Sequence, residues 1–145
     1  MPSVVDDLQR VPLFSGLNRR QLRRVASGFT ERDYAPGRAV VREGHMDGIG
    51  LFIVAEGTAA VDVGGKRVGT LGPGDHFGEL AVINRSERSA TVVAETPLRC
   101  LMITFWDFRK LATAHPDVLW KLLEQLAAVL AAERERRALA EAQNL

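Results

Sequence analysis

The middle of this sequence is a series of short β-prone runs separated by turns, and this pattern restricts the fold more than any other feature. Turn residues such as Pro36-Gly37 and Gly64-Gly65 stand between the runs. Many short strands at regular spacing are typical of an antiparallel sandwich or barrel. We therefore predict an α+β fold that is mainly β, an antiparallel β-roll or jelly-roll barrel (a double-stranded β-helix). The predicted strands are residues 30–34, 39–42, 49–56, 58–63, 66–71, 88–94 and 98–103.

Helical spacing of apolar residues precedes these strands. It predicts two or three short N-terminal helices, interrupted at Pro12 and Ser15-Gly16, with Asn18 as the N-cap of the last one. That helix also carries four arginines. Because apolar residues alternate with them at helical spacing, we interpret the arginines as a solvated face rather than a nucleic-acid surface. They are Arg19, Arg20, Arg23 and Arg24.

Helical spacing returns after residue 104. It predicts a short helix that stops near His115 and a long C-terminal helix with Pro116 in its first turn. We expect Trp106 and Trp120 to lie in the core. The long helix has an apolar seam at steps of four and three, which predicts packing on the barrel together with a weak or moderate homodimer. The seam consists of Leu119, Leu123, Leu126 and Leu130.

The bulk composition indicates one soluble domain. Of the 145 residues, 46% are hydrophobic and 26% are charged, and the formal net charge of +1 gives no general attraction for polyanions. The only cysteine, Cys100, lies in an apolar run and is expected to be buried. No segment approaches the roughly 20 apolar residues that a membrane helix needs. We expect a cytoplasmic protein without a membrane partner.

The segment from Gly72 to Val92 has a composition that suggests an anion pocket. Gly78 would let a ligand approach the backbone, and a short helix starting near Glu79 would direct free N–H groups toward it. Arg88 offers a planar fork of donors for phosphate oxygens. A carboxylate beside an anion is favourable only when it accepts hydrogen bonds from a neutral group, such as a sugar hydroxyl. A ribose cyclic monophosphate satisfies both requirements.

These residues also carry a family resemblance. The run Phe77-Gly78-Glu79-Leu80-Ala81, followed after a loop by Arg88-Ser89-Ala90-Thr91-Val92, resembles the phosphate-binding cassette of the cyclic nucleotide-binding domain family. That family includes protein kinase A regulatory subunits, cyclic nucleotide-gated channels and the bacterial catabolite activator protein. The similarity extends over nearly the whole chain, from residues 11–17 through 71–75 to the start of the last helix.

The resemblance implies a role for each cassette residue. Glu79 would bind the ribose 2′-hydroxyl and Arg88 the cyclic phosphate, with help from the backbone amides of Leu80 and Ala81 and from the hydroxyl of Ser89. The remaining ligand-binding positions would be Phe77, Gly78 and Ala90. The ligand would be cAMP, with cGMP as the alternative. Residues 1–115 would form the nucleotide-binding roll and residues 116–145 a lid and dimerisation helix that signals to an unidentified downstream protein.

Several alternatives remain open from the sequence. Glu79 and Arg88 could form a simple ion pair that closes a loop. A cupin-like enzyme would need clustered metal ligands, but His45, His76 and His115 lie in separate segments, so we predict neither a metal site nor catalysis. The chain could be the sensory part of a transcription regulator, although residues 131–145 are too few for a DNA-reading module. It could also be a degenerate, non-binding interaction module.

Overall fold

The computed structural model describes residues 3–45, 50–79 and 88–144. It begins with helix α1 (Val4–Gln9), a 3-10 helix (Pro12–Phe14) and helix α2 (Arg19–Ala26). The side chain of Asn18 accepts a hydrogen bond from the Gln21 amide, and the Gln21 side chain accepts one from the Asn18 amide. Each of two amides at the helix start thereby gains a partner. The predicted N-cap is confirmed, and the four arginines of α2 are exposed as expected.

The described strands form two antiparallel sheets of four strands each, which confirms the predicted mainly β, roll-like fold. One sheet has the order β1-β8-β3-β6 and the other β2-β7-β4-β5. Along the chain, successive strands lie in opposite sheets except for β4 and β5, so the chain crosses repeatedly between the two sheets. The strands are β1 (Phe29–Tyr34), β2 (Ala39–Val41), β3 (Gly50–Glu56), β4 (Ala59–Val63), β5 (Lys66–Leu71), β6 (His76–Phe77), β7 (Thr91–Ala94) and β8 (Leu98–Thr104).

Two strand predictions differ from the structure. Strand β6 was not predicted, because its two residues are too few to show alternation; they pair with Ile53 and Phe52 of β3. Strand β7 begins at Thr91, so the prediction that Arg88 opens this strand is wrong. The backbone of Arg88 instead exchanges hydrogen bonds with the loop after β2. Its amide donates to His45, and its carbonyl accepts from Gly44.

Strand β3 separates two apolar clusters because both of its faces are buried. Leu51 and Ile53 point to the cluster that the helices cover, whereas Phe52 and Val54 point into the space between the sheets. This alternation follows from the period of two in a strand. Cys100 lies in the second cluster with no exposed surface, as predicted.

The chain ends in helices α3 (Phe105–Ala114) and α4 (Pro116–Gln143), and Pro116 lies in the first turn of α4 as predicted. Helix α4 packs on the roll through a different stripe from the predicted leucine seam. Val118 and Leu122 are buried, whereas Leu119 is 40% and Leu123 is 48% exposed. Of the predicted seam, Leu126 packs partly buried against the core, whereas Leu119, Leu123 and Leu130 are exposed.

The prediction that both tryptophans lie in the core is wrong. Trp106 is 60% exposed and Trp120 is 64% exposed. Successive helical residues turn by about 100°, so Trp120 lies on the opposite side of α4 from Val118 and Leu122. In α3 the buried positions go to Phe108 and Leu111. None of the described helices is long and apolar enough to cross a membrane.

Candidate functional site

A cavity of about 240 Å³ opens beside β6 and the start of β7. Its polar wall consists of His76, Glu79, Arg88 and Ser89. The structure thus brings together six of the eight predicted ligand-binding residues: Phe77, Gly78, Glu79, Arg88, Ser89 and Ala90. The other two, Leu80 and Ala81, lie outside the described residues, as does most of the helix predicted to start near Glu79.

Arg88 is the buried cation of this cavity, with only 4% of its surface exposed. Its Nη1 atom donates hydrogen bonds to the carbonyl oxygens of Gly50 at 3.1 Å and Gly78 at 3.4 Å. The guanidinium carbon lies 5.8 Å from the ring centroid of Phe52. These contacts hold the guanidinium in one place on the wall of the cavity.

The structure shows a reason for Gly78 that the sequence analysis did not give. Its φ of +88° is a conformation that side chains disfavour, and a Cβ atom there would lie 2.6 Å from Arg88 Nη1 and 2.9 Å from the Gly50 carbonyl oxygen. The missing side chain therefore makes room for the guanidinium. The expected approach of a ligand to the backbone remains a prediction.

Glu79 faces His76, whose Nδ1 atom lies 3.5 Å from Glu79 Oε2. Burial raises the pKa of Glu79, but the contact with His76, a backbone hydrogen bond and the His76 charge outweigh this and hold the pKa below its usual value. The carboxylate is therefore ionised in the cavity wall. The structure gives Glu79 this histidine partner, and Arg88 donates to the backbone carbonyls of Gly50 and Gly78.

The other predicted residues have distinct environments. Phe77 is buried and stacks on Phe52, with ring centroids 5.1 Å apart and planes 7° from parallel, so its ring mainly supports the cavity wall. Ser89 is exposed and Ala90 is half-buried at the cavity rim.

Sequence reasoning missed the apolar wall of the cavity and the role of His76. Val41, Val61, Leu71 and Val92 supply that wall. They lie on β2, β4, β5 and β7, and none was assigned to the ligand site, although burial of alternate strand residues is a usable signal. His76 was considered only as a metal ligand. Within the described part of the chain, no group of three or more His, Cys, Asp or Glu side chains is placed to hold a metal ion.

Comparison with known proteins agrees with this geometry. The family model of the cyclic nucleotide-binding domain matches residues 31–115, which is more than half of the chain. In structure, the chain is similar to the catabolite activator protein of Thermus thermophilus, with a TM-score of 0.80 and 32% identity, covering 89% of this chain and 63% of that one.

Two curated relatives are much longer than this chain. The chain is 39% identical over 113 residues to the cAMP-dependent protein kinase regulatory subunit of Schizosaccharomyces pombe, covering 77% of this chain and 27% of that protein. It is 36% identical over 123 residues to glutaminase 2 of Bradyrhizobium diazoefficiens, covering 82% of this chain and 19% of that protein. The shared part is thus a fraction of each relative. By its family match, its two-sheet fold and its cassette residues, this chain belongs to the cyclic nucleotide-binding domain family.

Proposed function

We propose that this domain is a regulatory sensor that binds cAMP in the cavity between Glu79 and Arg88, with cGMP as the alternative ligand. The observation that carries the proposal is that one cavity has both a buried cation, Arg88, and a carboxylate, Glu79, on its wall. A cyclic nucleotide presents an anionic phosphate and a neutral hydroxyl close together. The name of the Schizosaccharomyces pombe relative, a cAMP-dependent regulatory subunit, favours cAMP.

Each group of the site would then have one task. Arg88 would donate to the oxygens of the cyclic phosphate, and Glu79 would accept from the ribose 2′-hydroxyl, because an ionised carboxylate can only accept. The amides of Leu80 and Ala81 would add donors to the phosphate. Ser89, at the rim, would contact the phosphate or the base.

Helix α4 would carry the signal. We propose residues 1–115 as the nucleotide-binding unit and residues 116–145 as a lid whose docked and undocked states differ in nucleotide affinity. Helix α4 contacts the cavity wall where Gln125 meets His76. Its outward leucines, Leu119, Leu123 and Leu130, are 40–53% exposed and would form a homodimer contact. The change would pass to a downstream protein.

Calorimetric titration with cAMP and cGMP tests this function. Arg88→Lys keeps the charge but loses the planar fork, and Arg88→Ala loses both, so affinity should fall about tenfold or more in the first and further in the second. Arg38→Ala removes an exposed arginine and serves as the control. Circular dichroism confirms folding of each variant. If both Arg88 variants bind with the affinity of the wild type, the role of Arg88 is refuted. If the wild type binds neither nucleotide, a non-binding interaction module is favoured.

A second candidate is the sensory part of a transcription regulator. It is favoured by the similarity to the Thermus thermophilus catabolite activator protein, of which this chain covers only 63%. We propose that this chain by itself does not bind DNA. A gel-shift assay with and without cAMP checks this, and sequence-specific binding by these 145 residues would overturn it.

A further inference from the structure

Three side chains from separate parts of the fold meet at one imidazole. His76, on β6, has its Nδ1 atom 3.5 Å from Glu79 Oε2 and its Nε2 atom in hydrogen-bond contact with Oε1 of Gln125 on α4. The side chains of His76 and Glu79 are only 13% and 22% exposed. A single ring therefore joins the carboxylate of the cavity to the C-terminal helix.

We propose that His76 is a positioning residue that orients Glu79 for the ligand hydroxyl and joins it to Gln125, so that nucleotide binding and docking of α4 are coupled through one imidazole. This inference rests on the proposed function and adds a named residue to it.

The hydrogen-bond chemistry favours an imidazolium in this position. With the Gln125 amide in the orientation of the structure, its Oε1 atom faces His76 and can only accept, which requires a proton on Nε2 of His76. The carboxylate of Glu79 can also only accept, so a lone pair on Nδ1 would face it unfavourably. Both contacts are satisfied together when both ring nitrogens are protonated. Loss of one proton would weaken either the contact to Glu79 or the contact to α4.

The two carboxylates near His76 act in the same direction. Among the described residues, the carboxylates of Asp75 and Glu79 lie near it and the guanidinium of Arg88 lines the same cavity, while α4 presents the neutral Gln125. Burial lowers the pKa of His76, but the bonds to Glu79 and Gln125 and the two carboxylate charges outweigh this and raise it above its usual 6.5. The imidazolium therefore persists to higher pH and offsets the Glu79 charge where the cyclic phosphate must bind.

The pH dependence of binding gives the first test. For the wild type, affinity for cAMP should be highest below the pKa of His76 and should fall as pH rises through it, by about tenfold if the nucleotide shifts that pKa by one unit. His76→Gln should bind more weakly at low pH and lose the dependence. His115→Gln, a histidine at the start of α4, should follow the wild type. A His76→Gln variant with the wild-type pH profile would overturn the proposal.

Hydrogen exchange gives the second test, because it reports the docking of α4. In the wild type, cAMP should change the exchange rates of α4 amides around Gln125. Gln125→Ala leaves the residues assigned to the ligand untouched, yet it should reduce that response, as should His76→Gln. Gln143→Ala, at the exposed end of the same helix, should keep it. Full wild-type responses in both test variants would show that the coupling does not pass through His76.

A third measurement needs no ligand and separates this inference from the proposed function. If the wild type binds neither nucleotide, the proposed function fails, but the link can still be measured by NMR titration of the His76 ring. Glu79→Gln and Gln125→Ala should both lower the pKa of His76, because each removes a contact that raises it. Gln143→Ala should not. An unchanged titration in both test variants would refute the link itself.

Discussion

The guanidinium of Arg88 occupies the space that a side chain at Gly78 would need. A Cβ atom at position 78 would lie 2.6 Å from Arg88 Nη1. The same guanidinium donates hydrogen bonds to the carbonyl oxygens of Gly50 and Gly78, and these bonds hold it in place. Gly78 and Arg88 therefore depend on each other. The absence of a side chain at Gly78 leaves room for the guanidinium, and the Gly78 carbonyl accepts a hydrogen bond from it.

Gly78→Ala should disturb this unit beyond its effect on the backbone. A side chain at φ +88° costs about 1–2 kcal/mol of stability, and the clash with Arg88 adds to that. Gly37→Ala is a matched control, since its φ is +87° but a Cβ there meets nothing within 4 Å. Chemical denaturation should show a loss in both variants. Calorimetry with cAMP should show weakened binding in Gly78→Ala alone, and equal affinities would contradict the pairing.

Arg99 should contribute strongly to stability, because it pairs with three carboxylates. It contacts Asp7 of α1 at 2.9 Å, Glu31 of β1 at 3.2 Å and Glu56 of β3 at 3.0 Å. Because the Asp7 side chain is 1% exposed, Arg99→Met leaves a buried carboxylate with Arg10 as its recorded ion-pair partner. We expect a loss of about 2–4 kcal/mol in urea denaturation.

The control for Arg99 is Arg67→Met. Arg67 pairs with Glu95 at 2.8 Å, but the two side chains are 52% and 31% exposed. Solvent screens such a pair, so the loss should stay below about 1 kcal/mol. Similar losses in the two variants would show that Arg99 does not connect the helices to the sheet.

Truncation of two adjacent leucines of α4 should affect two different properties of the protein, its stability and its self-association. Leu122 is 1% exposed and Leu123 is 48% exposed. Leu122→Ala should lower the unfolding free energy by about 2–5 kcal/mol, because it leaves a cavity in the core. Leu123→Ala should cost much less stability and instead weaken self-association in sedimentation velocity. A stability loss at Leu123 equal to that at Leu122 would contradict the orientation of the helix.

Cys100 should be unreactive in the folded protein. Burial raises the pKa of its thiol to about 12, and the charge of Asp33 adds to the effect. The folded state thus retains the proton above the ordinary value of 9.0, where the unfolded state releases it, so this group reduces stability as pH rises beyond 9.0. Ellman's reagent at pH 8 should label the denatured protein rapidly and the native protein slowly. Equally fast labelling would contradict the burial.

Local sequence signals predicted most of the strands and the helix boundaries. The Asn18 cap and the start of α4 at Pro116 depend on interactions within a few residues, so the sequence contains all that is needed to predict them. Strand β6 escaped prediction because its two residues owe their conformation to pairing with Phe52 and Ile53. The cavity residues were found because the cassette places Gly78, Glu79 and Arg88 in a recognisable order.

The sequence by itself determined the mainly β fold, the helical ends and the cassette residues Glu79, Arg88 and Ser89 of the cavity, because periodicity and short motifs encode these directly. Only the tertiary structure decided which face of each helix is buried, and so left Trp106 and Trp120 exposed. It also placed Arg88 before rather than within β7 and joined His76 to Gln125, which is 49 residues away. Such contacts depend on how elements that are distant in the sequence pack together, so they cannot be predicted from a local sequence pattern.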